Sequence, residues 1–286
     1  MGNNLNTKNI MRQVIDEGWC VIPSVIPAGE VDDVRDSVLK TTLRTSSGYE
    51  DNDKAVKKGA NSVSTFLPSD VSATKGLLAH DQSFAKYLPH PNILGTVDSI
   101  LGPHVRISYT TSIINMPGNA RGGWHSDWPF NQKTAGHIPS PYPDFIAHIT
   151  TIWMLSPFSK ENGGTLVVPR SHTFNDNPTG DNDLDPNLVH PDEINVTGNS
   201  GDVLMFDSRL WHATSANTTE SPRVGLAVRY APWWLNLDVL MPGSDERQRM
   251  VIEPQAQENE VAPISTEIFN RLPKNVKPLM RHWVRD

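Results

Sequence analysis

Hydrophobic positions keep a helical period near the start of the chain and give way to runs of β-branched and aromatic residues from Val105 onward. Within residues 8–22, Ile10, Met11, Val14 and Ile15 recur at helical spacing up to a stop at Glu17-Gly18, and Trp19–Ile22 reads as a short strand. Pro27–Glu30 opens a second helix with Val31, Val34, Val38 and Leu39 as its buried stripe. Residues 45–65 are polar and aperiodic, a loop that is either a closing lid or a passive surface insertion. Val105–Ile114 is a strand ending at Pro117-Gly118, and Phe145–Leu155, Gly164–Val168, Gly201–Phe206 and Arg223–Tyr230 read as further strands. A Pro- and aromatic-rich segment covers 129–143, and 173–193 is an exposed loop. Ile268, Phe269, Leu272, Val276, Leu279 and Met280 predict short helices packed outside the sheets.

Strands joined by turns, with no helices between them, predict a mainly β fold of barrel or jelly-roll type rather than a βαβ fold. There is no internal repeat or linker, so a single domain over 1–286 is expected. It would have a helical front part (about 1–104), a β core (about 105–235) and a helical tail (236–286). The length is enough for a sizeable core. With 37% hydrophobic residues and a net charge of −7 the chain belongs with ordinary folded proteins, and the acidic balance argues against a nucleic-acid surface. Cys20 is the single cysteine, which rules out an internal disulfide or a thiolate zinc cluster and suits a reducing cytoplasm. The start lacks the apolar core of a signal peptide, and no run approaches membrane-spanning length.

The chemistry centres on Arg121-Gly-Gly-Trp-His125-Ser-Asp127-Trp-Pro-Phe130. On an extended strand alternate side chains share a face, so His125 and Asp127 would point at one spot. An H-x-D pair alone is a common coincidence. It gains meaning from His212, which follows the strand at Val203–Phe206 and supplies a second imidazole. Two histidines and one carboxylate with open positions mark non-haem Fe(II) oxygenases. Arg223 heads the strand behind the turn Asn217–Pro222, and antiparallel neighbours joined by that turn would bring it to the same end as His212. Its guanidinium can hold the far carboxylate of a keto-diacid in a bidentate fork, with the Thr214 hydroxyl on the same carboxylate. His80, His90 and His104 read as surface or cap residues, His172 as a turn residue, and His137 and His148 lack a metal-spaced partner. For a substrate, Arg121, Lys133 and Arg229 are candidate anchors for a carboxylate or phosphate, although a structural ion pair suits Arg229 better. Trp128 and Trp153 are candidate pocket walls, although core packing accounts for most aromatics.

Trp124–Trp128, Asn162–His172 and Gly201–His212 with Arg223 together resemble the phytanoyl-CoA dioxygenase family of Fe(II)/2-oxoglutarate oxygenases, and Arg271–Leu279 resembles the family's ending. The resemblance implies a double-stranded β-helix with iron on His125, Asp127 and His212, and 2-oxoglutarate on Arg223 assisted by Thr214. It implies O2-dependent hydroxylation of a C–H bond with release of succinate and CO2, and the lack of a basic run long enough for a coenzyme A tail favours a small metabolite as the substrate. The loops 45–65 and 129–143 are the candidates for closing over such a site. Related halogenases replace the metal carboxylate with a small residue, whereas Asp127 is intact. A glycine commonly precedes Ser171 in the family, and here Arg170 stands there. The rival readings are another metal enzyme such as a zinc hydrolase, which would not explain Arg223, and a non-catalytic binding protein, which would have lost part of this set.

Overall fold

Asn6 accepts a hydrogen bond from the Asn9 amide (3.0 Å) and so caps helix α1, Thr7–Glu17, whose inner stripe is Ile10 and Val14. Gly18 ends the helix in a left-handed conformation (φ 88°) that turns the chain directly into strand β1, Trp19–Ile22. Helix α2, Val31–Ser47, buries Val31, Val34 and Val38, and its Thr42 hydroxyl is hydrogen-bonded to Ser112 Oγ at 2.7 Å, tying helix to sheet. Helix α3, Pro91–Leu101, packs on α1. The structure is a computed structural model that describes residues 6–47, 73–128, 138, 140–180, 183–256 and 258–285. The candidate closing loops at 45–65 and 129–143 lie largely outside the described residues.

Two antiparallel sheets follow. The larger runs in the order β1, β6 (Val203–Asp207), β3 (Ile149–Met154), β8 (Arg223–Ala231), β2 (Arg106–Asn115). The smaller runs β5 (Ile194–Asn195), β4 (Thr165–Val167), β7 (His212–Thr214). The sequence-derived strands agree with β1, β2, β3, β4, β6 and β8 within a few residues. The very short β5 and β7 carry too little pattern to be read.

The period-two alternation decides what each strand residue touches. On β8, Val224, Leu226, Val228 and Tyr230 face the helices and join the main core, while Ala227 faces inward to a second cluster with Ile152, Met154, Val167, Leu204 and Phe206. That second cluster draws on both sheets, so their inner faces pack on each other. Trp153 is therefore corrected as a pocket wall. It lies on the helix-facing side of β3, fully buried in the main core, with Nε1 donating to Thr151 Oγ1 at 3.0 Å. A bulge between Ile107 and Tyr109 shifts the register of β2, setting Tyr109 opposite Arg229 and Asn115 opposite Arg223.

A second correction concerns β7 and β8. They are not hydrogen-bonded neighbours, because β7 pairs with β4 while β8 lies between β3 and β2. The segment after Asn217 carries the chain from one sheet to the other. The tail forms helices α4, Thr266–Arg271, and α5, Lys277–Met280, with Leu272, Val276, Leu279 and Met280 buried against the sheet. This agrees with the predicted outer helices. Among the described residues no helix is long and apolar enough to cross a membrane.

Gly201 joins the β1 and β3 ends. Its amide donates to Met154 O (2.7 Å) and its carbonyl accepts from Ile26 (3.0 Å), at φ 93°. A Cβ there would overlap the Ile26 carbonyl oxygen. Gly201→Ala is expected to lower stability by about 2 kcal/mol, combining left-handed strain with that overlap, read as a lower urea midpoint at unchanged slope.

A candidate metal centre between the two sheets

His125 and His212 face each other through a single antiparallel bridge: the His125 amide donates to His212 O (3.0 Å) and the His212 amide to His125 O (2.9 Å). The segment before Asp127 is irregular rather than a continuous strand, so this bridge sets its place along β7. The amides of Asp127 and Trp128 both donate to Ser208 O, at 2.8 and 3.0 Å, which pins Asp127 beside the turn leading into β7. The imidazole centroids lie 4.1 Å apart. One ligand atom from each of His125, Asp127 and His212 falls within 4.8 Å of the other two, the one such cluster among the described residues.

The hydrogen bonds determine which ring nitrogens carry the proton. A carbonyl can only accept, so His212 Nδ1 donates to Leu210 O (2.9 Å) and His125 Nδ1 to Gly123 O (3.3 Å), which makes Nε2 the unprotonated nitrogen of each neutral ring. Burial, with neighbouring His212, pushes the His125 imidazole down to about 3, and burial lowers His212 as well. Asp127 Oδ1 accepts from the Arg229 guanidinium. Its Oδ2 accepts from Thr150 Oγ1 (2.8 Å) and lies 3.7 Å from His212 Nε2. Burial alone would raise the Asp127 carboxyl, but the Arg229 guanidinium, with the Thr150 hydroxyl, holds it below the ordinary carboxylate range. The result is one buried anion beside two neutral imidazoles, a donor set suited to a borderline divalent cation.

Arg223 heads β8 on the same face as Arg229 and is 2% exposed. Its Nε donates to Gly163 O (3.0 Å) and one terminal nitrogen to Ile113 O (3.4 Å), and the guanidinium lies over the Phe158 ring at 4.5 Å. Among the described residues no carboxylate pairs with it, and burial pulls it down to about 9. Gly163 does more than turn the chain: at φ 82° its carbonyl also accepts from Asn115 Nδ2 (3.3 Å), and a Cβ would overlap that amide. Thr214 is buried two residues beyond His212, on the same face of β7.

The other sequence candidates are placed differently. Arg121 makes two bonds to Glu193 (2.8 and 2.7 Å) and stacks on Trp124, so its charge is already matched. Arg229 is held by Asp127 and lies over Tyr109 at 4.9 Å, the ion pair the sequence favoured. Trp128 is buried, and Lys133 and His137 lie outside the described residues. His172 sits in a turn with Nε2 bonded to Ile15 O (3.0 Å), as read. Before it, Arg170 adopts φ 65°, which explains why a glycine is common there. A cavity of about 530 Å³ lined by Met11, Ile15, Tyr142, Phe145, His172 and Arg209 includes none of the three clustered side chains. The sequence did not single out Thr150, Ser208, Asn115 and Tyr109, because hydroxyls and amides on strands show no spacing that marks them.

A family model described as Phytanoyl-CoA dioxygenase (PhyH) matches residues 15–225. The chain is 28% identical over 221 residues to a protein named dioxygenase af480 of Aspergillus fumigatus, covering 76% of this chain and 63% of that relative, which is less than two thirds of its length. It is 24% identical to a protein named iron/alpha-ketoglutarate-dependent dioxygenase ausO of Aspergillus calidoustus, covering 74% of this chain and 67% of the relative. A crystal structure of HygX from Streptomyces hygroscopicus with nickel, 2-oxoglutarate and hygromycin B bound superposes with a TM-score of 0.57 at 18% identity, over 80% of this chain and 88% of that one.

Removing the guanidinium that holds Asp127 tests the electrostatics directly. In Arg229→Met the metal-free carboxyl should titrate at higher pH than in the native chain, because burial then acts with less opposition. Carbon-13 NMR of labelled aspartate would detect the move, and an unchanged Asp127 titration would contradict it.

Proposed function

Because the chain belongs to the phytanoyl-CoA dioxygenase family, we propose that it is an Fe(II)- and 2-oxoglutarate-dependent dioxygenase that hydroxylates a C–H bond of a small metabolite. The observation that carries this reading is the pairing of two unlike sites within one fold. A carboxylate and two imidazoles whose Nδ1 atoms carry the protons converge within 4.8 Å, and a buried guanidinium on the inner face of β8 has no carboxylate partner among the described residues. A zinc hydrolase or a passive binding protein would have no use for the second.

In this reading His125, Asp127 and His212 hold the iron, and Arg223 with Thr214 receives the far carboxylate of 2-oxoglutarate. The residues present fit both groups. Asp127 brings one negative charge and the histidines bring neutral donors, so Fe(II) is partly neutralised and keeps open positions. Gly163, Ile113 and Phe158 fix the Arg223 fork in place before any ligand arrives, which lowers the ordering cost of binding. What the bound metal supplies is redox chemistry absent from side chains: 2-oxoglutarate, O2 and R–H become succinate, CO2 and R–OH.

The chain's own contribution is placement. Hydroxylation of this kind selects a C–H bond by distance and angle, so the walls that hold the substrate decide the product. Arg229, Tyr109 and Thr150 share one level of the large sheet, and we assign the substrate to that end, with Trp128 beside it. Phe145, Trp233 and Trp234 are exposed just beyond the β3 start and the β8 end. A small-molecule substrate agrees with the ligand named for HygX. The two facing sheets are read as a double-stranded β-helix within a single domain, and the lone Cys20 suits a cytoplasmic setting.

His125→Ala and Asp127→Ala should each abolish substrate-dependent succinate formation under O2 with Fe(II), and should also remove tight metal binding. Full activity in either variant would refute the metal assignment. Arg223→Ala should raise the 2-oxoglutarate concentration for half-maximal rate by about 10- to 100-fold, the worth of a charge-assisted bidentate contact. An unchanged dependence would reject the anchor role.

A further inference from the structure

A line of four side chains leads from the Asp127 carboxylate into the large sheet, and the proposed reaction gives none of them a chemical role. Thr150 Oγ1 donates to Asp127 Oδ2 at 2.8 Å, and the same hydroxyl lies 2.8 Å from Ser208 Oγ. Ser208 Oγ lies 2.8 Å from His148 Nδ1, and His148 Nε2 lies 2.8 Å from Ser108 Oγ. All four residues are at most 1% exposed, so bulk water does not compete for these bonds.

The direction of every proton in the line follows from its end. Asp127, paired with Arg229, is a carboxylate and only accepts. Thr150 gives it its single hydroxyl proton and must accept from Ser208. Ser208 therefore donates to Thr150 and accepts from His148, which requires the proton on Nδ1. A neutral imidazole of that tautomer has a bare Nε2, which accepts the Ser108 hydroxyl. Reversing any member would leave two donors or two bare oxygens facing each other in the core, at the full cost of an unsatisfied buried group. Burial, reinforced by Arg229, pushes His148 down to about 3, in keeping with the neutral form. Ser208 also takes the backbone amides of Asp127 and Trp128 on its carbonyl, so one residue holds Asp127 from two sides.

We propose that Ser108, His148, Ser208 and Thr150 form a one-way hydrogen-bond line that fixes the orientation of the Asp127 carboxylate, which makes His148, as the Nδ1–H tautomer, a positioning residue for the metal centre. This rests on reading Asp127 as a metal ligand. Outer partners of this kind commonly change metal affinity 10- to 100-fold when removed.

Two measurements on the full chain test it. Nitrogen-15 NMR of histidine-labelled protein should show His148 neutral and protonated on Nδ1 across the neutral pH range, with or without metal. Titration of the metal-stripped chain with Co(II) should give about tenfold or more weaker binding in Ser208→Ala and in His148→Leu. His148→Asn, whose amide sits near the Nδ1 position, should recover most of the loss. Melting in EDTA separates this from a general packing defect, since the asparagine rescue should act on Co(II) affinity even where the melting point stays low. An Nε2–H or charged His148, or unchanged Co(II) affinity in Ser208→Ala, would overturn the proposal. Should His148→Leu fail to fold, Ser208→Ala, which removes one oxygen, decides. Failure of the native chain to bind Co(II) would sink the metal reading, and the NMR tautomer would then still judge the line itself.

Discussion

The Asp127 carboxylate is a charge placed where a charge is expensive. Taking an ion out of water costs several kcal/mol even after a protein relaxes around it, and the loss is offset only when its lone pairs are met. Here the offset comes from Arg229 on one oxygen and Thr150 on the other. Much of the local architecture answers to that requirement: the register of β3 against β8 that sets Thr150 beside Arg229, the bulge on β2 that turns Tyr109 under the guanidinium, and the turn at Ser208 that takes the Asp127 amide. Each is a backbone decision made far from Asp127 in sequence, and each would have little reason to coincide if the carboxylate were absent.

Two sheets rather than one make the arrangement possible. The large sheet has its outer face sealed by helices and the tail, so its inner face is free to carry polar residues without exposing the main core. The small sheet delivers His212 and Thr214 from the opposite side, and the bridge between His125 and His212 closes the gap. A single sheet with alternating faces would set these groups along a plane. Facing sheets let them converge, and the hydrophobic cluster shared by Ile152, Val167, Leu204, Phe206 and Ala227 holds the spacing.

The three converging side chains were legible in the sequence because metal chemistry restricts residue type and because His125 and Asp127 lie two apart. The reason for their convergence was not. Alternation on a strand was the expected cause, yet the segment is irregular and Asp127 is placed by hydrogen bonds to Ser208 O. Arg223 was legible as a lone cation heading a strand, but its neighbour was misread, since β7 and β8 belong to different sheets. Trp153 shows the limit of residue type as a guide: strand parity puts it on the helix side, and parity is known only once the register is known. His148 carried no partner visible in sequence because the hydroxyls it meets, Ser108 and Ser208, lie on two other segments, and serine is too common for its positions to signal anything.

Arg223 and Arg229 sit on one face of one strand, and their difference separates structure from function. Both guanidiniums lie over an aromatic ring, Phe158 for one and Tyr109 for the other. Arg229 has an anionic partner built into the chain, and that pair is complete without any ligand. Arg223 is bonded to carbonyl oxygens, which orient it without neutralising it, and burial alone accounts for its fall to about 9. A folded chain that needed only stability would match both charges or replace the unmatched one with an apolar residue, since a buried cation lacking an anion is among the costlier features a core can hold. Retaining a rigidly oriented cation at that cost is intelligible if its anion arrives from outside. A dicarboxylic acid reaching from the Asp127 end of the interior toward the head of β8 meets that description, and a monocarboxylate bound at the metal alone would leave Arg223 unexplained.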